Sequence, residues 1–374
     1  MIKKIFFTLT MLATAGVSFA QTIANGYYRF QNQATGRYIV VVDNRGSVDI
    51  FSTSADLGAV HTFSDFEGNV VSNPGSVIYA KAVGDGYDLQ SQGASTYDMV
   101  GYYLRIRETR DNDNTYWAYA TKSGMTQYIN DAVFETDEGM VGTNDSRGRK
   151  WYILPIDAGS DNYFGVRPSC EVSGKYYQPF FADFPFTFYS EGMKAYYVTK
   201  YAEGMAVLKE YTGGTMPANM PMIIECTSSE PTGNRLNLLT DSPAVASDNI
   251  LSGTYFNNSW PTDHINRVAN DPETTRLLGV TSTGKLGFVK KTDVDYVPAN
   301  TAYLKVTPGT ADELRLVSEE DFTAGVDEIM VNGNANTPDG IYTLTGVKVA
   351  EGKSIPANLP AGVYISGGKK FVVK

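Results

Sequence analysis

The stretch MPANMPMIIE, residues 216–225, decides the fold of this chain because its Pro-Ala-Asn unit occurs three times. The unit returns in VPANTAYLKV at 297–306 and in IPANLPAGVYI at 355–365, each time ahead of an apolar run. Proline fixes φ and lacks an N–H, so it belongs at the entry or corner of a strand. Asparagine tolerates the left-handed dihedrals that close a turn. The unit therefore predicts a strand, a corner and a further strand.

The first two copies belong to a longer repeat. Residues 196–225 align without a gap on residues 277–306, and Pro217 falls on Pro298. Each copy reads as a hairpin followed by a third strand after the corner. We expect two equivalent three-strand meanders that bury a common apolar face, within a β-meander repeat domain at 158–320. We expect this repeat to be structural.

The rest of the chain also reads as strands. RYIVVV (37–42), WYILPI (151–156) and KFVVK (370–374) are short, β-branched or aromatic, and separated from their neighbours by Gly, Asn, Asp and Pro. No window sustains apolar residues at the i, i+3, i+4 and i+7 spacing of a helix. The chain therefore predicts an all-β protein.

The densest aromatic segment contains Phe184, Phe186 and Phe188. These residues alternate with others, as one face of a strand would. The preferred interpretation is sandwich core. The alternative is an exposed platform for a glycan or a peptide.

The first twenty residues predict export. MIKKIFFTLTMLATAGVSFA has a basic start, an apolar middle and a small-residue end, which is the pattern of a secretory signal peptide cleaved after Ala20. No later segment approaches the roughly 18 apolar residues of a membrane helix, so we expect no transmembrane segment. The formal net charge of −10 and the lack of a basic cluster argue against nucleic acid as a partner.

The chain has two cysteines, Cys170 and Cys226, and both fall in the middle region. In an oxidising compartment they form either one disulfide or two separate buried thiols. Two cysteines in 374 residues do not make a disulfide scaffold.

The end of the chain resembles a known sorting domain. LPAGVYI at 359–365, followed by Lys369-Lys370 and a terminal Val-Val-Lys, is similar to the C-terminal sorting domain of the type IX secretion system of Bacteroidetes. The resemblance implies a small C-terminal β domain at 340–374, after a linker at 321–339. It also implies the export machinery as a partner and an extracellular or outer-membrane surface location, with the periplasm as the alternative.

Residues 21–157 resemble the ricin-type β-trefoil lectins. The opening NGYYRFQNQATGRYIVVV (25–42) matches the phrase that begins a subdomain in that family, and Trp151 stands where its closing tryptophan would be. Arg149 occupies the position of the family's glutamine. The resemblance implies a β-trefoil domain and a glycan or cell-surface polysaccharide as the ligand.

The resemblance also implies four ligand-binding residues. Asp43 and Asn44 follow the RYIVVV strand, where the family places its polar ligands, and Trp117 or Tyr119 supplies a ring. Sugar hydroxyls need paired hydrogen-bond partners, whereas their C–H faces stack on rings. The alternative is that Asp43-Asn44 forms a turn and that Trp117 is core.

No catalytic or metal motif is found in the sequence. His61 and His264 have no neighbouring ligands, and the Asp111–Asp113 cluster lacks the glycine and glutamate of a calcium loop. We expect no catalytic residue, metal or cofactor. The leading interpretation is a secreted or surface-displayed non-enzymatic protein that binds carbohydrate. The alternatives are a structural or adhesion protein without a glycan site and a hydrolase with dispersed carboxylates.

The signal pattern makes a direct prediction. N-terminal sequencing of the exported protein should begin at Gln21, because Ser18-Phe19-Ala20 provides the small residues that signal peptidase requires. A mature N-terminus far from Gln21 would contradict the assignment.

Overall fold

A computed structural model describes the following residues: 23–42, 60–83, 86–95, 105–108, 114–122, 125–131, 138–142, 148–256, 268–324, 340–343, 347–351, 356, 359–360, 362–366 and 369–373. Among them, no helix is both long enough and apolar enough to cross a membrane.

The described residues form mostly β-structure, which confirms the all-β expectation. The strands are β1 Gly26–Asn32, β2 Tyr38–Val41, β3 Val60–Phe63, β4 Ile78–Val83, β5 Gly86–Ser91, β6 Ala94–Ser95, β7 Arg105–Glu108, β8 Tyr116–Lys122, β9 Met125–Tyr128, β10 Asn130–Asp131, β11 Glu138–Gly142, β12 Lys150–Pro155, β13 Phe164–Gly165, β14 Cys170–Val172, β15 Lys175–Phe180, β16 Phe186–Phe188, β17 Lys194–Ala202, β18 Met205–Glu210, β19 Met222–Cys226, β20 Arg235–Leu238, β21 Leu251–Thr254, β22 Thr275–Val280, β23 Leu286–Val289, β24 Thr301–Lys305, β25 Glu313–Val317, β26 Ile341–Thr343, β27 Lys348–Ala350, β28 Gly362–Ser366 and β29 Lys369–Val373. Helix α1 spans Glu319–Ala324, and short helical turns occupy Phe66–Val70, Pro74–Ser76 and Pro231–Gly233.

The first twelve strands form one curled sheet. β1 pairs with β12, β2 and β4, so the first strand of the region lies beside the last. β5, which pairs with β4, also contacts β7 at the far end of the path. The apolar residues inside this curl include Phe30 and Trp151, both fully buried, and the indole N–H of Trp151 donates to the carbonyl of Ile129 at 3.0 Å. Trp151 is therefore a core residue.

The middle region contains a ten-stranded sheet and a three-stranded sheet. The larger one has the order β14-β15-β19-β17-β18-β25-β23-β22-β24-β21, and the smaller one has the order β13-β20-β16. Phe184 and Phe186 are buried in the main core, and Phe188 packs against that core partly buried. The core interpretation of this aromatic segment is therefore confirmed.

Both copies of the repeat have the same strand order. In each, a hairpin is joined by a third strand that pairs with its first strand: β19 with β17, and β24 with β22. Neither copy is a meander, because a meander would place the third strand beside the second. β25 occupies that edge in both copies, since it pairs in parallel with β18 and antiparallel with β23. β25 thus joins the two copies into one sheet.

The Pro-Ala-Asn corners have the predicted geometry. Asn219 has φ of 60° and Asn300 has φ of 52°, both in the left-handed region. Side chains with a Cβ pay a steric cost there, and asparagine tolerates it better than most. The asparagine of the third copy, Asn358, lies outside the described residues.

The Pro-Ala-Asn corner at Asn300 also contacts the first domain. Asn300 and Gln92 are both buried, and their amides exchange two hydrogen bonds of 2.7 and 3.1 Å. Gln92 and Gly93 form a tight turn between β5 and β6, with φ of 56° and 72°. The turn is therefore fixed to the corner by a pair of neutral amides that satisfy each other.

A buried arginine forms a second connection between the first domain and the middle region, and we call this contact between the two regions the joint. Arg29 on β1 donates to Ser76 Oγ, to Asn162 Oδ1, and to the carbonyls of Tyr163 and Val71, at 2.8 to 3.3 Å. All four acceptors are neutral. Burial lowers the pKa of Arg29 to about 9, so the guanidinium remains charged at neutral pH.

An acidic residue lies beneath the Gln92-Gly93 turn. Asp183 accepts a hydrogen bond of 2.8 Å from the N–H of Gly93. Burial raises the pKa of this carboxyl to about 6, and backbone donors at Gly93 and Gln92 offset only part of the effect. The nearby phenols of Tyr27 and Tyr255 also have pKa values raised by burial, so they stay uncharged while Asp183 titrates.

The last four strands form a separate small sheet with the order β27-β26-β28-β29. Tyr364 is buried in it, and its hydroxyl donates to the carbonyl of Pro360 at 2.9 Å. The Leu-Pro-Ala-Gly-Val-Tyr-Ile phrase thus supplies the entry and most of β28.

We expect Asn300→Ala to lower the free energy of unfolding by roughly 2–3 kcal/mol. Alanine strains at a left-handed φ, and the buried amide of Gln92 loses its partner. Asn300→Gly should recover about 1 kcal/mol, because glycine removes the strain but not the unpaired amide. Urea unfolding monitored by tryptophan fluorescence measures both variants. Asn237→Ala, on an exposed position of β20, is the control and should change stability by less than about 0.5 kcal/mol. Equal stabilities of the alanine and glycine variants would contradict the strain argument.

The Asp183 carboxyl predicts a pH dependence. Its folded pKa of about 6 lies above the ordinary value of 3.8, so the folded state binds the proton more tightly than the unfolded state. The stability that this group contributes is present below pH 4 and is lost as the pH rises to about 6. Relative to Asp183→Asn, the wild-type free energy of unfolding should fall by an amount on the order of 2 kcal/mol over this range. A constant difference between the two proteins from pH 4 to pH 7 would refute the assignment.

Candidate functional site

The outer face of β8 carries two of the aromatic residues that the sequence indicated. Ala118 is fully buried in the core of the first domain, and side chains alternate along a strand. Trp117 and Tyr119 therefore point away from that core, and both are half-buried. Trp117 is not a core residue, so the structure does not support that alternative.

A third ring completes the cluster. Tyr128 on β9 lies directly opposite Tyr119 in the β8–β9 hairpin. The ring centroids of Tyr119 and Tyr128 are 5.5 Å apart, and those of Trp117 and Tyr128 are 6.3 Å apart with the rings nearly perpendicular. Cross-strand pairs of aromatic residues stabilise a sheet, which explains why the three rings stay together.

A cation lies against the same cluster. The guanidinium carbon of Arg149 is 4.9 Å from the centre of the Tyr128 ring, within the range of a cation–π interaction. Register places it there, because Lys150 pairs with Trp117 and Arg149 is the preceding residue. We call Trp117, Tyr119, Tyr128 and Arg149 the aromatic face.

The aromatic face has the chemistry of a carbohydrate platform. Its three rings offer apolar surface to the C–H groups of a sugar ring, and the guanidinium and phenol groups offer hydrogen-bond donors. Its four residues include no carboxylate and no imidazole.

The predicted site also has a polar half, Asp43 and Asn44. Asp43 and Asn44 fall outside the described residues, so their distance from the aromatic face stays a prediction. Tyr128 and Arg149 were missed by the sequence reasoning. The available signal was the short connection between β8 and β9, which places Tyr128 of β9 beside the aromatic residues of β8.

The two cysteines are free thiols. Cys170 lies on β14 and pairs with Tyr177 of β15. Cys226 lies on β19, on the other side of β15, and pairs with Tyr176 of β15. Strand β15 therefore lies between the two cysteines, which places them too far apart for a disulfide. Tyr176 and Tyr177 are adjacent and point to opposite faces of the sheet, so the cysteines that pair with them do so too. The disulfide alternative is corrected accordingly. Burial raises the pKa of the Cys226 thiol to about 12, so it is unreactive at neutral pH.

The remaining candidates add no reactive site among the described residues. His61 is half-buried on β3 beside Phe63, and the described residues include no group of three or more His, Cys, Asp or Glu side chains suited to a metal ion. His264, Asp111 and Asp113 lie outside the described residues.

No family model matches this chain, and no curated protein gives a significant match to it.

Proposed function

We propose that this chain is an exported, non-enzymatic carbohydrate-binding protein whose aromatic face contacts the sugar. The observation that carries the proposal is the clustering of three half-buried rings and one guanidinium on the outer side of β8 and β9. Rings held outward by a rigid sheet provide contact area without an entropic cost on binding.

We further propose that the first domain is a β-trefoil. Three features support it: twelve strands in one curled sheet, the pairing of the first strand with the last, and a buried tryptophan that closes the region. The lectin-like opening phrase at 25–42 adds the sequence argument. A trefoil would offer up to three equivalent surfaces, of which the aromatic face belongs to the last subdomain.

Export and surface display are part of the same proposal. The signal-like first twenty residues and the sorting-like phrase at 359–365 support a route across both membranes, with the export machinery as the partner of the tail. A protein displayed at the surface meets polysaccharides in high local density, which compensates for weak binding at each site.

Trp117→Ala should weaken polysaccharide binding by roughly fivefold or more, because one stacked ring contributes about 1 kcal/mol. Affinity electrophoresis or titration calorimetry with a soluble polysaccharide identified on a glycan array measures the change. Trp117→Phe should restore part of the affinity. A purely structural role of the indole would give the same result, so thermal unfolding of both variants is measured to detect a loss of stability.

The matched control is Tyr189→Ala, which removes an exposed ring from the middle region. It should leave the affinity unchanged. Asp43→Ala, on the predicted polar half of the site, should abolish binding with little change in the melting temperature. If no glycan on the array binds the mature chain, the structural or adhesion function replaces this proposal.

A further inference from the structure

A cavity of about 290 Å³ lies between the first domain and the middle region, away from the aromatic face. The segment from Gly68 to Pro74 forms one wall. The other wall contains Val166, Arg167, the β15 residues Gln178 and Phe180, and the corner residues Ala299 and Asn300. Its volume is close to the lower end of ligand pockets, roughly 300 Å³.

Two side chains of this cavity have unsatisfied polar atoms. Ser72 Oγ and Gln178 Oε1 are buried and have no hydrogen-bond partner among the described residues. The Gln178 amide oxygen and nitrogen are distinguished from each other by one hydrogen bond, because Nε2 donates to the carbonyl of Pro179 at 3.2 Å and a carbonyl can only accept. Oε1 therefore needs a donor. Buried polar atoms without partners are uncommon in folded proteins, since each costs free energy.

The charges at the cavity favour a neutral ligand. Its one cation, Arg167, already donates to the carbonyl of Glu67 at 2.8 Å and lies 3.4 Å from the carboxylate of Glu230. No acidic side chain lines the described walls. A carboxylate or phosphate ligand would find Arg167 compensated and could not donate to Gln178 Oε1. A hydroxyl group both donates and accepts, so it suits Gln178 and Ser72 together.

The apolar part of the lining sets the shape of the ligand. Phe180, Val166 and Pro74 add carbon surface to the same walls that carry the amide and hydroxyl groups. A compact molecule with hydroxyls on its rim and C–H groups on its faces matches both kinds of wall. We infer that this cavity is a second binding site, for a neutral monosaccharide-sized polyol, formed jointly by Ser72, Gln178 and the Pro-Ala-Asn corner at Asn300. The two atoms are covered in this conformation, so a small rotation of each side chain accompanies binding.

The test uses the mature full chain with the Trp117→Ala substitution, which weakens binding at the aromatic face. Glucose, galactose, mannose, fucose and N-acetylglucosamine are titrated by calorimetry. At least one should bind in this background. Ala299→Trp, which fills the cavity mouth from an exposed position, and Gln178→Met, which removes the acceptor, should each weaken that binding at least tenfold.

Ala218→Trp is the matched control, because Ala218 holds the same place in the first Pro-Ala-Asn copy, outside the cavity. It should leave the affinity unchanged. If Gln178→Met fails to fold, Ala299→Trp decides alone. The inference is overturned if none of the five sugars binds, or if binding is equally strong in the Ala299→Trp and Ala218→Trp proteins. The aromatic face is the same in the Ala299→Trp and Ala218→Trp proteins, so a difference between them reports on the cavity and does not depend on the proposed function.

Discussion

The joint between the first domain and the middle region depends on Arg29, a cation buried without a carboxylate partner. Removing a guanidinium from water is costly, and hydrogen bonds to four neutral oxygens from two separate segments offset that cost here. All four acceptors are needed to replace the water molecules that the buried guanidinium has lost. The segment at Val71–Ser76 and the start of the middle region at Asn162–Tyr163 are therefore fixed relative to β1.

The same joint explains where ligand-sized space remains. The segment that Arg29 anchors at Val71 and Ser76 continues into the wall of the cavity, and the Gln92–Asn300 amide pair fixes the opposite corner. The Arg29 contacts are hydrogen bonds from one cation to neutral oxygens, and the Gln92–Asn300 contacts are hydrogen bonds between neutral amides. The aromatic face is positioned by strand register, by contacts between its rings and by the Arg149 guanidinium against Tyr128.

The sequence predicted the parts of the fold that depend on local chemistry. The left-handed Asn219 and Asn300 follow from the Pro-Ala-Asn unit, and the buried Phe184 and Phe186 follow from alternation. The strand order of the repeats was not predictable, because a gapless alignment does not say which edge of a hairpin β25 takes. A charged residue in a strand is normally predicted to be exposed, yet Arg29 is fully buried. Its burial depends on acceptors that are far from it in the sequence, so the local pattern could not indicate it. At the aromatic face, Trp117 and Tyr119 came from a family resemblance, whereas Tyr128 and Arg149 required cross-strand register.

The position of β25 has a consequence for how the chain matures. Until residues 313–317 arrive, the second strands of both hairpins present open edges, and such edges pair readily with other chains. The strand that closes them, β25, follows both hairpins in the chain, so during synthesis the edge of β18 stays open until residues 313–317 have been made. Folding of the middle region is then delayed until nearly the whole chain is present, because its central seam joins segments about 110 residues apart, Met205 to Arg315. A long-lived unfolded state of this kind is what a chain needs if it is to be threaded through a membrane before it folds.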